Sequence, residues 1–421
     1  MERLLVYADF DWLSEAELVG ELTYETLRGA ESYGFRFSDT WLGRHGDLLL
    51  SADLSNYSGA QYNKEGRGLF GCLDDALPDR WGRTLIARRE QIIAAEDKRP
   101  VRRLSAFDYL TAIDDFSRMG ALRFKISQNG GYINQEDRLS VPPLADLRQL
   151  ACASLNFEIS EADNRTPEKR WIMQLLRPGS SLGGARPKAS VLDDDGTLCV
   201  AKFPSLSDDY DVALWEHFCH LLAREAGVSA ADTRVVALGG KHHTLLSRRF
   251  DRSNTRRIHF ASAMTLLGLR DGDNASTGHG YLDIVGFIIQ GCTEVERNLR
   301  EIFRRAAFNI CVGNSDDHFR NHGFLLTSKG WTLSPAYDMN PTLNPFQSLL
   351  VTPVTNEADL RALLGACDEY LLRPDEGERI IREVAVAVRG WRKLAAKLCL
   401  PQSEAERFGP LFDSRVRQVL G

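Results

Sequence analysis

The chain has 421 residues, 43% of them apolar and 26% charged, with a formal net charge of −6. That length exceeds what one hydrophobic core organises, so two or three domains of ordinary globular composition are expected. The acidic balance argues against a protein that grips nucleic-acid phosphates over a broad face, and no direct nucleic-acid binding is expected. Eight scattered cysteines never form C-x-x-C, which fits reduced thiols and no zinc ribbon or redox pair. No run approaches about eighteen uninterrupted apolar residues, and MERLLVYADFDW lacks the apolar centre of a signal peptide. A cytoplasmic protein without membrane contact is expected.

In chain order, LLVYADF, ELVGELTYE, YGFRFSD and GDLLLSADL read as strands with partial period-two alternation. LFGCLDDALPDRWGRTLIARREQIIAAEDK mixes turn and helical character and ends in a charged helix. A helix over LSAFDYLTAID and a strand in MGALRFKIS follow. The polar loop SQNGGYINQEDR then closes an N-terminal, β-rich segment, 1–125.

A second segment, 145–250, opens with a helix in VPPLADLRQLACASLNFEIS. SSLGGARPKASVLDDDGTLCVAKFPS reads as strand, turn, strand, with DDDG at a hairpin. The helix DVALWEHFCHLLAREAGV aligns Val212, Trp215, Phe218, Leu222 and Ala226 on one face and closes near Gly227. Strands in RVVALGG and HTLLSRRFDR complete the segment. Residues 251–421 are mainly helical. Thr293 and Glu296 predict a capping box at the head of TEVERNLREIFRRAAFNICVGN. Ile381, Val384, Val388, Trp391, Ala395 and Leu398 predict one amphipathic helix over PDEGERIIREVAVAVRGWRKLAAKLCL.

That capped helix leads into GNSDDHFRNHGF, residues 313–324. Two acids after a helix are commonly a solvated cap. Here, however, Asp316-x-x-x-x-Asn321 has the spacing of a protein-kinase catalytic loop, in which the Asp takes or orients the hydroxyl proton and the Asn reaches a magnesium ion. Asp338, after the hairpin GFLLTSKGWTLSP, stands where such enzymes keep a metal-binding carboxylate. Asp317 is the second choice for the base, since only Asp316 keeps the separation from Asn321. His318 lacks a partner His or Cys at ligand spacing, so it reads as a loop-organising or nucleotide-contacting residue.

Upstream, the Gly-Gly pair in SSLGGARPKAS lets backbone amides approach an anion, with Lys188 adding charge. The plain alternative is a hairpin turn. Lys202, inside VAKF, is costly unless its ammonium meets an anion or carboxylate. Glu216 on the next helix is the candidate partner, although a surface Glu on a helix is the commoner case.

The order of Gly-rich turn, strand Lys, helix Glu, Asp/Asn loop and second Asp resembles the HipA family of bacterial serine/threonine kinases over nearly the whole chain. The matching stretches are GGARPKA, VAKFP, WEHFCHLLAREAGV, RRFDR, NSDDHFRNHGF and SPAYDMNP, with VGELTYE, LPDRWGR and MGALRF similar to the family's N-terminal part. The resemblance implies an α+β, two-lobed protein-kinase-like fold with an N-terminal β-rich subdomain and a mainly helical C-terminal lobe. It implies ATP and Mg²⁺ as cofactors, with Asp316 as catalytic base. Gly183, Gly184, Ala185, Arg186, Pro187 and Lys188 would cover the phosphates and Lys202 would anchor them.

By the same resemblance, Arg248, Arg249 and Phe250 would meet the adenine. His318 and Asn321 would line the nucleotide, and Tyr337 would close the metal side with Asn321 and Asp338. Ser181 would be the autophosphorylation site, with Ser180 as second choice. The implied role is a toxin that phosphorylates a protein Ser or Thr, as relatives do on an aminoacyl-tRNA synthetase. The implied partner is a helix-turn-helix antitoxin of HipB type. The rival readings are a catalytically silent ATP-binding regulator and a small-metabolite kinase.

Overall fold

The structure, a computed structural model, describes residues 1–27, 29–63, 68–135, 141–176 and 184–421. Ser180, Ser181 and Gly183 therefore lie outside the described residues. The chain parts into two units: Met1–Asp208 with Val236–Gly240 and Leu246–Ala261, and Asp209–Val235 with Lys241–Leu245 and Ser262–Gly421.

The first unit opens with an antiparallel sheet built from β1 (Glu2–Ala8), β2 (Glu17–Leu27), β3 (Ala30–Phe37), β4 (Ala60–Tyr62) and β5 (Leu122–Lys125), in the order β4-β3-β2-β1-β5. Alternation decides its faces: Leu4, Val6 and Ala8 of β1 are buried, and Leu4 sits opposite Leu22. GDLLLSADL is not a strand, contrary to the expectation. Side chains satisfy its backbone instead of a neighbouring strand, with the Asn56 amide donating to the carbonyls of Gly46 and Leu48.

LPDRWGR starts the helix α1 (Arg80–Glu96), whose N-cap Asp79 accepts from the Gly82 amide at 2.7 Å. Trp81 and Leu85 of α1 pack with Phe157 of α2 (Leu147–Ala162) and with Ile172 and Leu175 of α3 (Lys169–Leu176). The hairpin of β6 (Lys188–Leu192) and β7 (Leu198–Lys202) lays Ala189, Val191, Cys199 and Ala201 on Leu147 and Leu150.

This unit also holds an ionic core. Asp251 is fully buried and accepts from Arg249 Nε at 2.6 Å, Arg252 Nη1 at 2.7 Å and the Gly120 amide at 2.8 Å. Burial alone would raise its pKa, but the two guanidiniums hold it well below the usual carboxylate range. Those arginines also donate to the carbonyls of Phe116, Ser117 and Arg118, so the RRFDR segment clamps residues 116–120.

In the second unit, α4 (Val212–Glu225) buries Trp215, Phe218 and Leu222 on the predicted face. Trp215 donates to Glu404 at 2.7 Å. The helices α5 (Tyr281–Gly291), α6 (Val295–Val312) and α7 (Pro374–Arg389) pack together with α6 at the centre. The capping box at Thr293 does not form. Thr293 instead donates its amide to Trp331 O at 2.8 Å, and Glu294 opens the helix in a left-handed conformation. The long amphipathic helix is in fact two, α7 and α8 (Trp391–Lys397), parting at Gly390, and α9 (Gln402–Leu420) closes the chain. No helix among the described residues is long and apolar enough to cross a membrane.

Candidate active site

Helix α6 must stop abruptly to deliver the Asp316 loop, and Gly313 stops it. Its φ of +64° is the left-handed C-terminal signal. A Cβ there would lie 2.6 Å from the Thr342 carbonyl and 2.3 Å from Leu411. Gly313→Ala should therefore lower stability by at least about 1–2 kcal/mol from the backbone alone. Thermal unfolding checks this, and an unchanged midpoint would refute the role.

After the turn, the loop is held from behind. Asp317 is 1% exposed and accepts three hydrogen bonds: Tyr281 hydroxyl at 2.6 Å, Gln347 amide at 3.0 Å and Ser348 N–H at 2.9 Å. Tyr281 in turn accepts from Asn309, whose carbonyl oxygen takes the Asn314 amide. Ser348 also donates to Ser315 O at 2.7 Å, and Ser315 pairs with Thr342 at 2.7 Å. Burial pushes the Asp317 carboxyl up to about 7 against the pull of its three donors. His322, beneath the loop and fully buried, is pulled down to about 3 and stays neutral, close to the Asp317 carbonyl.

Asp316 is the opposite case, with 71% of its side chain exposed. The Asn321 amide donates to the Asp316 carbonyl at 2.7 Å, so the five-residue spacing closes a ring that fixes the loop. That bond uses Nδ2 and leaves the Asn321 carbonyl oxygen as its metal-capable atom. His318 Nε2 lies 3.8 Å from the Asp316 carboxylate. Desolvation raises the Asp316 pKa, His318 opposes it, and the charge of Asp338 raises it further. The hairpin of β8 (Gly323–Thr327) and β9 (Gly330–Leu333) leads to Tyr337, which donates to Arg320 O at 2.6 Å, and to Asp338. Asp338 is left-handed at φ +56°, a strained conformation for a residue other than glycine that is typical of functional sites.

Among the described residues no three His, Cys, Asp or Glu side chains gather as a metal cage. A magnesium ion needs none, since one or two protein oxygens with phosphate oxygens and waters complete its shell. An amide oxygen and a carboxylate, the hard donors of Asn321 and Asp338, fit that requirement.

The remaining expected site residues are in the first unit, apart from Glu216. Arg186 makes a bidentate pair with Asp208 at 2.6 and 2.7 Å, and the Pro187 carbonyl accepts from Phe203 at 2.9 Å. Lys188, 2% exposed, pairs with Asp79 at 2.9 Å, while Trp81 donates to the carbonyls of Lys188 at 3.1 Å and Gly184 at 3.4 Å. LPDRWGR therefore braces the end of the Gly-rich turn, and Ala185 is exposed within it. Lys202 is half-buried on β7, opposite Lys188 in the ladder. Arg248 is exposed and bonded to Thr197, Arg249 is committed to the ionic core, and Phe250 packs against Phe260 at 6.0 Å. Glu216 is buried on α4 in the second unit, 3% exposed, with His220 at 3.9 Å.

Sequence reasoning missed the supports: Tyr281, Asn309, Asn314, Gln347 and Ser348 behind the loop, and Asp79 and Trp81 behind the turn. None carries a local motif. Only the LPDRWGR resemblance pointed to the latter pair.

An antiparallel β-rich part, a β-hairpin bearing a lysine and a helical part bearing an Asp/Asn loop define a two-lobed α+β protein of kinase-like fold. Residues 11–124 match the HipA N-terminal domain and residues 180–391 the HipA-like C-terminal domain. The chain belongs to the HipA family.

It is 24% identical over 218 residues to the "Serine/threonine-protein kinase toxin HipA" of Shewanella oneidensis, covering 45% of this chain and 50% of that protein. It thus spans half the length of that relative. It is 22% identical to the "Putative kinase Y4mE" of Sinorhizobium fredii, covering 78% and 76% of the two chains. The solved HipA of the Shewanella oneidensis toxin–antitoxin system, in complex with HipB and operator DNA, superposes with a TM-score of 0.68 at 16% identity, covering 99% and 96%. The expectation of no nucleic-acid binding is not borne out, because that HipA sits in an assembly with DNA. Net charge averages over a whole surface and is silent on a local patch or a DNA-binding partner.

Proposed function

We propose that the chain is an ATP-dependent serine/threonine protein kinase acting as a HipA-type toxin. Asp316 takes the proton of the acceptor hydroxyl as the γ-phosphoryl group arrives. His318 lies beside that carboxylate. Asn321 and Asp338 hold Mg²⁺, which neutralises the phosphate charge when bound. Lys202 anchors the phosphates, with Glu216 as its carboxylate partner, and Gly183, Gly184 and Ala185 cover them through backbone amides. Because the side chains of Arg186, Lys188 and Arg249 are committed to Asp208, Asp79 and Asp251, these residues serve ATP through backbone groups or by bracing neighbours.

Ser181 is the autophosphorylation site, with Ser180 second. The protein substrate is of the aminoacyl-tRNA synthetase class, and a HipB-type helix-turn-helix antitoxin is the partner. The observation that carries this reading is the contrast within one loop: an exposed Asp316 fixed by Asn321, on a buried Asp317 anchor. Incubation with Mg-ATP followed by intact-mass measurement tests it. Wild type should gain phosphate, mapping to Ser181, and Lys202→Ala should not. Expression without an antitoxin should slow bacterial growth, and Lys202→Ala should relieve that. Absence of phosphate transfer to any protein, alongside retained ATP binding, would favour the silent regulator.

A further inference from the structure

The stretch LNPF, residues 343–346, lies in the second unit and is exposed throughout, Leu343 to 56% and Phe346 to 46%. Single exposed apolar residues are ordinary on a protein surface. Here Leu343, Pro345 and Phe346 stand together on backbone that is fixed at both ends. Ahead of them, Thr342 donates its amide and its hydroxyl to the Gly313 carbonyl at 2.8 and 2.9 Å, and its hydroxyl lies 2.7 Å from that of Ser315. Behind them, the Gln347 side-chain amide donates to Asn314 O at 2.9 Å and the Ser348 N–H to Ser315 O at 3.1 Å. The base of the tip is closed by the Gln347 N–H on Asn356 O at 2.8 Å and the Ala358 N–H on Pro345 O at 3.0 Å.

Both anchors end on the loop that carries Asp316, so the tip is held to the proposed base. Consecutive Cα atoms are about 3.8 Å apart, and these bonds therefore keep Leu343 and Phe346 within about 15 Å of the Asp316 Cα, the span of about four extended residues. An acceptor hydroxyl must come within about 3 Å of its base for the proton to pass. A polypeptide that presents such a hydroxyl brings its flanking side chains within reach of the tip, a distance that a small metabolite does not span. Large apolar groups held in water on a fixed backbone gain by being covered, without the ordering cost that a loose loop would add. We infer that Leu343 and Phe346 are specificity-determining residues for a polypeptide substrate, which they select by a large apolar side chain within four positions of the acceptor Ser or Thr. The inference rests on the kinase reading above and adds the local sequence that the substrate must carry.

Transfer from Mg-ATP to a peptide library tests this, with Ser or Thr at the centre, random residues at the four positions on each side, and the phosphorylated fraction sequenced by mass spectrometry. Wild type should favour Leu, Ile, Met or Phe over Ala and Asp at one of those positions by about ten-fold or more in kcat/KM, the scale on which one apolar contact discriminates. Phe346→Glu should exchange that preference for Lys or Arg at the same position, a change that loss of a structural support does not produce. Leu343→Ser should flatten the preference, while Phe346→Leu should keep it. Val386→Ser, which alters an equally exposed apolar residue on α7, should also keep it. Because these side chains face water, the unfolding midpoints should match that of wild type. Transfer without an apolar preference, a preference that persists in Phe346→Glu, or autophosphorylation with transfer to no peptide would overturn the inference and leave the kinase reading standing. Phosphate on neither the chain nor any peptide would overturn both. A wild type that lacks the preference and sediments as a dimer, with Phe346→Glu a monomer, would overturn the inference and give the tip to a second copy of the chain.

Discussion

Asp316→Ala should cut phosphoryl transfer by about 10²- to 10⁴-fold, the usual contribution of a positioned base, while leaving the thermal midpoint where it is. Its side chain is 71% exposed. Asp317→Ala should do the reverse in kind, removing stability first and activity only as a consequence. It leaves the Tyr281 hydroxyl, the Gln347 amide and the Ser348 N–H facing a void. Each buried donor left unmatched costs about 1–3 kcal/mol, so several kcal/mol should go.

Asp317→Asn should fall between, because one amide cannot accept from all three donors. It also carries a pH signature. The folded pKa of about 7 lies above the ordinary 3.8, so the protonated carboxyl contributes stability fully below about pH 4. That contribution is lost as pH rises through 7, and the slope should vanish in Asp317→Asn. Parallel assays of transfer rate and unfolding across the three variants decide the assignment. If Asp317→Ala kept its midpoint but lost transfer, and Asp316→Ala stayed active, the roles would be exchanged.

The second large effect belongs to the ionic core. Asp251→Ala strips two buried guanidiniums, Arg249 and Arg252, of their shared carboxylate. Breaking a buried pair on one side costs about 3–5 kcal/mol, because the surviving charge has neither water nor counter-ion. Here two charges survive, and the clamp on residues 116–120 loosens with them. Denaturant titration of the purified variant should show the loss, and a change below about 1 kcal/mol, the worth of a surface pair, would refute the buried-core account. The linkage has the sign usual for an acid: Asp251 is held below its ordinary value, so its stability is present above about pH 4 and fades as pH falls further.

Much of this molecule was legible from local pattern. The alternation in LLVYADF and ELVGELTYE placed β1 and β2, and helical spacing placed the buried faces of α4 and α7, because one buried face imposes its period on the residues that form it. The order of motifs was enough for the kinase resemblance, since short-range spacing such as Asp316 to Asn321 is itself a local geometric fact, realised as the ring closed at 2.7 Å. What the chain pattern left open was whatever depends on distant partners. Asp316 and Asp317 are adjacent and chemically alike. Only Tyr281, Gln347 and Ser348, some thirty or more residues away, bury one and leave the other in solvent. Lys188 has Asp79 at 2.9 Å, a partner that no local motif announced, and Thr293 read as a cap until Trp331 claimed its amide. A local pattern does not show which partner the tertiary fold will bring within about 3 Å, where a hydrogen bond replaces water.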